Sequence, residues 1–100
     1  MNQVQSKPFG VNSPVLTNDY IIVDVRTPME FFHGHIEGAK NVPIEMIDEW
    51  FETFARCNKP IIICAGWGSR SARACEKLRS RGVKTIDGGD WELLAERIHK

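Results

Sequence analysis

Short apolar runs alternate along this chain with segments in which apolar residues recur at helical spacing. Ile21 to Val25 is unbroken by polar residues except at Asp24, as a parallel strand covered on both faces requires. Thr27-Pro28-Met29-Glu30 then supplies a capping box with proline at the first helical position, and Gly34 closes that short helix. A brief strand is predicted over Lys40 to Val42. Pro43 opens a helix whose Ile47, Trp50, Phe51 and Phe54 share one face. Lys59 to Cys64 reads as the central strand. Ser71, Ala74, Cys75 and Leu78 line the inner face of the next helix, which stops at Gly82, and Val83 to Ile86 returns as a strand. Asp90 caps a last helix bearing Trp91, Leu94 and Ile98.

Strand and helix alternate throughout, which implies right-handed crossovers. The predicted fold class is α/β: a mainly parallel sheet of about four to five strands with helices on both faces. Residues 1–19, with Pro8, Gly10 and Pro14, read as an irregular N-terminal arm, and residues 20–100 as the domain. No repeat or low-complexity tract interrupts this order.

Composition narrows the class of protein. A content of 42% hydrophobic and 26% charged residues over 100 positions fits one ordinary globular domain with a modest core. Thirteen basic and thirteen acidic side chains leave no net charge, so nothing points to nucleic acid or a membrane surface as partner. Any positive field is local, and the basic residues Arg73, Lys77, Arg79 and Arg81 fall on a helix and its end, where solvation is the ordinary role. No stretch approaches the roughly 20 apolar residues of a membrane span, and the polar start Met1 to Lys7 lacks the apolar region of an export signal. Three cysteines, an odd number without framework spacing, argue against a disulfide scaffold and for a reducing compartment, so a cytoplasmic location is expected. A periplasmic location after removal of a signal stays open.

The chemistry concentrates where the central strand ends, at Cys64-Ala65-Gly66-Trp67-Gly68-Ser69-Arg70-Ser71. A helix beginning near Ser69 leaves its first N–H groups unpaired, and the loop over Ala65, Gly66, Trp67, Gly68 and Ser69 can turn more N–H groups toward one anion. Gly66 and Gly68 allow positive φ and close approach of the backbone. Arg70 adds a planar fork that matches a sulfonate, phosphate or arsenate. The same field acts on sulfur: a thiol ordinarily titrating at about 8.5 is lowered by a helix N-terminus and a nearby arginine, so Cys64 is expected to be a nucleophile at neutral pH. The plain alternative is a buried strand-end cysteine before an ordinary turn.

These residues, with Ile22-Val23-Asp24-Val25-Arg26-Thr27-Pro28, Glu30-Phe31, Gly34-His35-Ile36-Glu37-Gly38-Ala39-Lys40-Asn41-Val42-Pro43 and Asp87-Gly88-Gly89-Asp90-Trp91, make a chain that resembles a single-domain rhodanese. The resemblance implies a sulfurtransferase in which Cys64 carries a persulfide between a small donor such as thiosulfate and a thiol or cyanide-like acceptor. It implies that Arg70 holds the anionic end of the donor, and it leaves room for a partner protein that carries sulfur. It calls for no cofactor. Relatives of this kind occur on both sides of the bacterial inner membrane. One feature departs from the pattern: the five residues between Cys64 and Arg70 are one more than the usual rhodanese loop holds. The longer loop is similar to that of the cell-division-cycle phosphatases and rhodanese-type arsenate reductases. The alternatives are therefore a phosphatase or arsenate reductase using the loop as an oxyanion cradle, or a non-catalytic module that carries a persulfide or docks a partner. Against a phosphatase stands the absence of any carboxylate in the loop, although an acid could still arrive from Asp24, Glu30, Asp87 or Asp90.

Other candidates have simpler readings. Cys57 and Cys64 lie at opposite ends of one strand, about 20 Å apart at about 3.3 Å per residue, too far for a disulfide, whose Cα atoms lie within about 7 Å. Cys75 falls on an apolar helix face. His33 and His35 flank a turn, and with no third ligand near them no metal site is expected. Asp24 and Arg26 share a strand face as an ion pair, with Ser71 as a further residue supporting the loop from behind. Trp67, at the loop apex, either walls the pocket, meets a partner, or folds back on the neighbouring helices.

Overall fold

The computed structural model describes residues 19–98; the predicted arm, up to residue 18, lies outside the described residues. The elements are β1 (Ile21–Asp24), α1 (Pro28–His33), β2 (Lys40–Asn41), a 3-10 helix (Ile44–Trp50) running into α2 (Phe51–Arg56), β3 (Ile61–Ala65), α3 (Arg70–Arg79), β4 (Thr85–Asp90) and α4 (Trp91–Ile98). The four strands form one sheet in the order β2-β1-β3-β4, and every pairing is parallel. The expected α/β architecture is the one observed.

The side-chain period of two along each strand divides the core. Val23, Val25, Ile61, Ile63 and Ala65 face a cluster with Ile47, Phe54, Ala74, Cys75 and Leu78, which places the 3-10 helix, α2 and α3 on one side. Ile22, Ile62 and Cys64 face Ile36, Leu94 and Ile98 on the other, beneath α4. Cys64 is thus turned away from the side that α3 covers, although α3 begins only a loop later.

Several boundaries differ from the sequence reading for local reasons. Pro60 has no N–H to give, so β3 starts at Ile61; the Pro60 carbonyl still accepts from Ile21 at 3.1 Å. At its other end β3 continues past Cys64 to Ala65. The helix opened by Pro43 begins as a 3-10 turn in which the Met46 N–H reaches the Pro43 carbonyl at 2.8 Å, but it still presents Ile47 and Phe54 to the core. The capping box at α1 is complete, with the Glu30 N–H donating to Thr27 Oγ1 and the Thr27 N–H donating to Glu30 Oε1.

The largest difference is β4, which runs on through Asp87-Gly88-Gly89-Asp90 instead of stopping at Ile86. Ile63 pairs with Asp87 but Cys64 pairs with Gly89, so Gly88 is the extra residue of a bulge beside Cys64. Gly89 adopts a φ of 74°, open to glycine without strain. A Cβ at Gly88 would lie 2.9 Å from Ile62 Cγ2 and 3.1 Å from the Ile63 carbonyl oxygen, so only glycine lets the bulged strand lie this close to β3. The bulge brings Asp90 alongside Ala65, at the carboxyl end of the sheet where α4 begins.

Candidate active site

Register places Asp24 of β1 beside Cys64 of β3, at the carboxyl ends of two central parallel strands. That edge is where ligands bind in sheets of this kind. From there the loop Gly66 to Ser69 leads into α3, with Gly68 at a φ of 91° and Ser69 at the N-cap. Only Gly68 of the two loop glycines takes positive φ. Gly66 instead lies under both arginines: a Cβ there would sit 3.5 Å from Arg70 Nη2 and 3.6 Å from Arg26 Cδ. Among the described residues no acceptor takes the N–H of Gly66, Trp67, Gly68, Ser69 or Arg70. Five consecutive backbone donors are therefore left without a protein acceptor, and the Arg70 guanidinium lies close to the first of these residues, donor types an oxyanion cradle uses.

Two ion pairs organise the floor and rim. Asp24, wholly buried, accepts from Arg26 through the Arg26 backbone N–H at 3.0 Å, Nε at 3.0 and 3.1 Å, and Nη2 at 2.8 Å. Arg26 Nη2 also donates to the Gly34 carbonyl at 2.6 Å, and its guanidinium lies 4.8 Å from the Trp91 ring centroid. Asn41 ties the same strand end down by donating to the carbonyls of Asp24 and Arg26. At the rim Arg70 is bonded by both terminal nitrogens to Glu30. The Arg70 pair and the Thr27 N–H hold the Glu30 carboxyl down at about 2.

The expected low-titrating Cys64 is not what this geometry produces. Burial pushes the Cys64 thiol up, the Asp24 carboxylate adds to that, and Arg26 opposes it. The physical reason is parity. Two residues along β3 from Ile62, the sulfur points to the same α4 side of the sheet, among Ile22, Ile62 and Leu94. The cation whose field reaches it is Arg26, not Arg70. The consequence is testable by alkylation. In the donor-free protein iodoacetamide is expected to modify half-buried Cys57 before fully buried Cys64 near neutral pH. The Cys64 rate should then climb about tenfold per pH unit beyond the range of an ordinary thiol. Fast labelling of Cys64 with a plateau below neutral pH would show that the thiol is activated at rest.

The remaining candidates find clear places. Trp67 is 89% exposed, so it does not fold back onto the helices. Ser71 is buried on the inner face of α3 beneath the loop, and Cys75 is core. Cys57 stands beyond the amino end of β3, opposite Cys64, as the extended-chain estimate requires. His35 stacks on Phe31 and its Nδ1 lies 2.7 Å from the Phe31 carbonyl oxygen. Among the described residues no three His, Cys, Asp or Glu side chains group as metal ligands, and no helix is long and apolar enough to cross a membrane. Lys77 and Arg81 reach Asp48, Arg79 donates to the Thr85 carbonyl, and Arg73 to Ser69 Oγ. An open groove bordered by Pro60, Arg79, Lys84 and Thr85 lies at the amino ends of β3 and β4, away from Cys64. Arg26 with Trp91, and the Glu30 contact to Arg70, are the site features that sequence reasoning missed. The sequence offered Glu30 as a helix cap and a candidate acid, not as the partner of Arg70.

Comparison with known proteins gives the family. A family model for the rhodanese-like domain matches residues 11–92. The chain is 32% identical over 76 residues to thiosulfate sulfurtransferase GlpE of Ectopseudomonas mendocina, covering 73% of this chain and 69% of that protein. It is 33% identical over 76 residues to a sulfurtransferase of Allochromatium vinosum, covering 73% and 70%. It is also 37% identical over 65 residues to the uncharacterized protein YqhL of Bacillus subtilis, of which it spans about half, 51%. A rhodanese-like domain protein from Staphylococcus aureus superposes with a TM-score of 0.68 at 30% identity, over 84% of this chain and 76% of that one. The protein belongs to the rhodanese-like domain family, and its matched relatives include proteins named as sulfurtransferases.

Proposed function

We propose that this domain is a sulfurtransferase that takes a sulfane sulfur from thiosulfate or a similar donor onto Cys64 and passes it to a thiol or cyanide-like acceptor. The observation that carries the reading is the position of Cys64 at the carboxyl end of β3, where the chain passes into the loop of unpaired N–H groups that ends at Arg70. The Cys64 sulfur attacks the outer sulfur of the donor, a new S–S bond forms, and the donor's S–S bond breaks with its electron pair leaving on sulfite. The acceptor then attacks the outer sulfur of the Cys64 persulfide and restores the cysteine. Loop N–H groups and Arg70 serve the oxyanion end of the donor. Because Cys64 must lose its proton to react, transfer should accelerate as pH rises through the neutral range.

Sulfite leaves as a stable anion and needs no proton. A phosphate ester of an alcohol does, and the nearby carboxylates are committed elsewhere. Asp24 is held by Arg26 and Glu30 by Arg70, while Asp87 accepts from the Gly89 N–H and Asp90 from the Glu92 N–H. The five-residue loop still favours some affinity for tetrahedral oxyanions, so phosphate or arsenate should compete with thiosulfate. Steady-state assays are expected to show thiosulfate:cyanide transfer with only poor phosphatase turnover, confined to aryl esters whose leaving group needs no proton. Equal, efficient hydrolysis of aryl and alkyl esters would put the phosphatase reading first.

A further inference from the structure

Arg70, which the proposed function assigns to the donor, already has a carboxylate on it. Its Nη1 donates to Glu30 Oε1 at 2.9 Å and its Nη2 to Glu30 Oε2 at 3.2 Å, the same two-pronged contact a sulfonate or phosphate would make. The two side chains are 26% and 42% exposed, so the contact lies at the surface within reach of a dissolved anion. Glu30 is also anchored independently of the loop. Its Oε1 accepts from the Thr27 N–H at 2.9 Å and from Thr27 Oγ1 at 3.1 Å, which fixes the carboxylate on the first turn of α1. An incoming anion must share or displace a group that cannot readily move away.

The charge balance at the rim points the same way. Arg70 is matched by Glu30, and Arg26, which flanks the same loop glycine, is matched by Asp24, so neither guanidinium offers an unbalanced positive charge. The Glu30 charge beside the fork acts about twice as strongly against a dianion as against a monoanion, because the Coulomb energy scales with the ligand's charge.

We propose that Glu30 is a specificity-determining residue that sets the charge of the sulfur donor. By competing for the Arg70 fork it disfavours dianions, thiosulfate included, relative to monoanionic thiosulfonates that carry the same sulfane sulfur. The inference rests on the sulfur-transfer reading. With a thiosulfonate the Cys64 sulfur bonds to the terminal sulfur, the bond to the sulfonyl sulfur breaks, and its electron pair leaves on a sulfinate. The thiol proton goes to solvent, and no oxidant or reductant is needed.

Glu30→Gln keeps an oxygen that accepts from Thr27 and removes the charge. It is expected to lower the thiosulfate KM about three- to tenfold while moving the methanethiosulfonate KM less than about twofold, a range set by one partly exposed charge at hydrogen-bond distance. Equal changes for both donors, or a raised thiosulfate KM, would overturn the proposal. Thr27→Ala removes the cap hydroxyl and leaves the carboxylate on Arg70, so it should lower stability without changing the ratio of the two KM values. A ratio shifted as far as in Glu30→Gln would assign the effect to α1 packing and overturn the charge account. Calorimetric binding of sulfate and methanesulfonate, which transfer no sulfur, separates the two levels. Glu30→Gln should strengthen sulfate relative to methanesulfonate by the same factor, and an unchanged ratio overturns the role of Glu30. If that shift appears but wild-type protein accepts sulfur from neither donor, Glu30 keeps its anion-selecting role and sulfur transfer is the reading that fails.

Discussion

Cys64→Ser is expected to reduce thiosulfate:cyanide sulfur transfer by at least about three orders of magnitude, because a serine oxygen forms no persulfide and no other group takes over the covalent step. Cys57→Ser and Cys75→Ser should each retain most of the activity. Cys57 stands beyond the amino end of β3, at the other edge of the sheet, and Cys75 is packed in the core between α3 and β3 on the opposite face from the Cys64 sulfur. Steady-state rates on the three variants, with circular dichroism to show that each is folded, make the comparison. Comparable transfer by Cys64→Ser would remove the cysteine from the reaction.

Asp24→Ala should be the most destabilising single change at the site. It leaves the Arg26 guanidinium buried with only the Gly34 carbonyl and the Trp91 ring for company. Breaking a buried pair from one side typically costs about 3 to 5 kcal/mol, a large part of the roughly 5 to 15 kcal/mol that holds a domain folded. Urea unfolding measures the loss. The double variant Asp24→Leu with Arg26→Met should recover most of it, since two apolar side chains leave no stranded charge. A single-variant cost below about 1 kcal/mol would mean that water reaches Arg26 and the pair behaves as a surface contact. Asp24→Asn adds a second readout. It removes the carboxylate that raises the Cys64 thiol while leaving Arg26, so the pH profile for Cys64 alkylation should move to lower pH.

Much of this site was legible before any coordinates. The Thr27 to Glu30 capping box, the Asp24–Arg26 pair, the strand-loop-helix passage from Cys64 to Arg70 and the inner face of α3 all follow from local spacing, and the fold keeps each of them. Two kinds of feature were not legible. Asp87-Gly88-Gly89-Asp90 has the composition of a turn, yet it is strand, because glycine serves a bulge as well as it serves a turn and only the neighbouring β3 decides between them. The other kind is contact across long sequence separation: Glu30 meets Arg70, and Trp91 meets Arg26, through topology that no local pattern encodes. The direction in which the Cys64 thiol titrates belongs here too. Alternation along β3 puts the sulfur on the α4 side, and the neighbouring strand end leaves its electrostatics to Asp24 and Arg26 instead of to the helix N-terminus.

The central claim is that Cys64 carries the sulfur, and intact-mass measurement tests it most directly. Protein incubated with excess thiosulfate and freed of small molecules should gain the mass of one sulfur atom. Peptide mapping should place that sulfur on the segment holding Cys64, and cyanide should remove it with formation of thiocyanate. No gain in mass, or sulfur carried by Cys57 or Cys75 instead, would contradict the account.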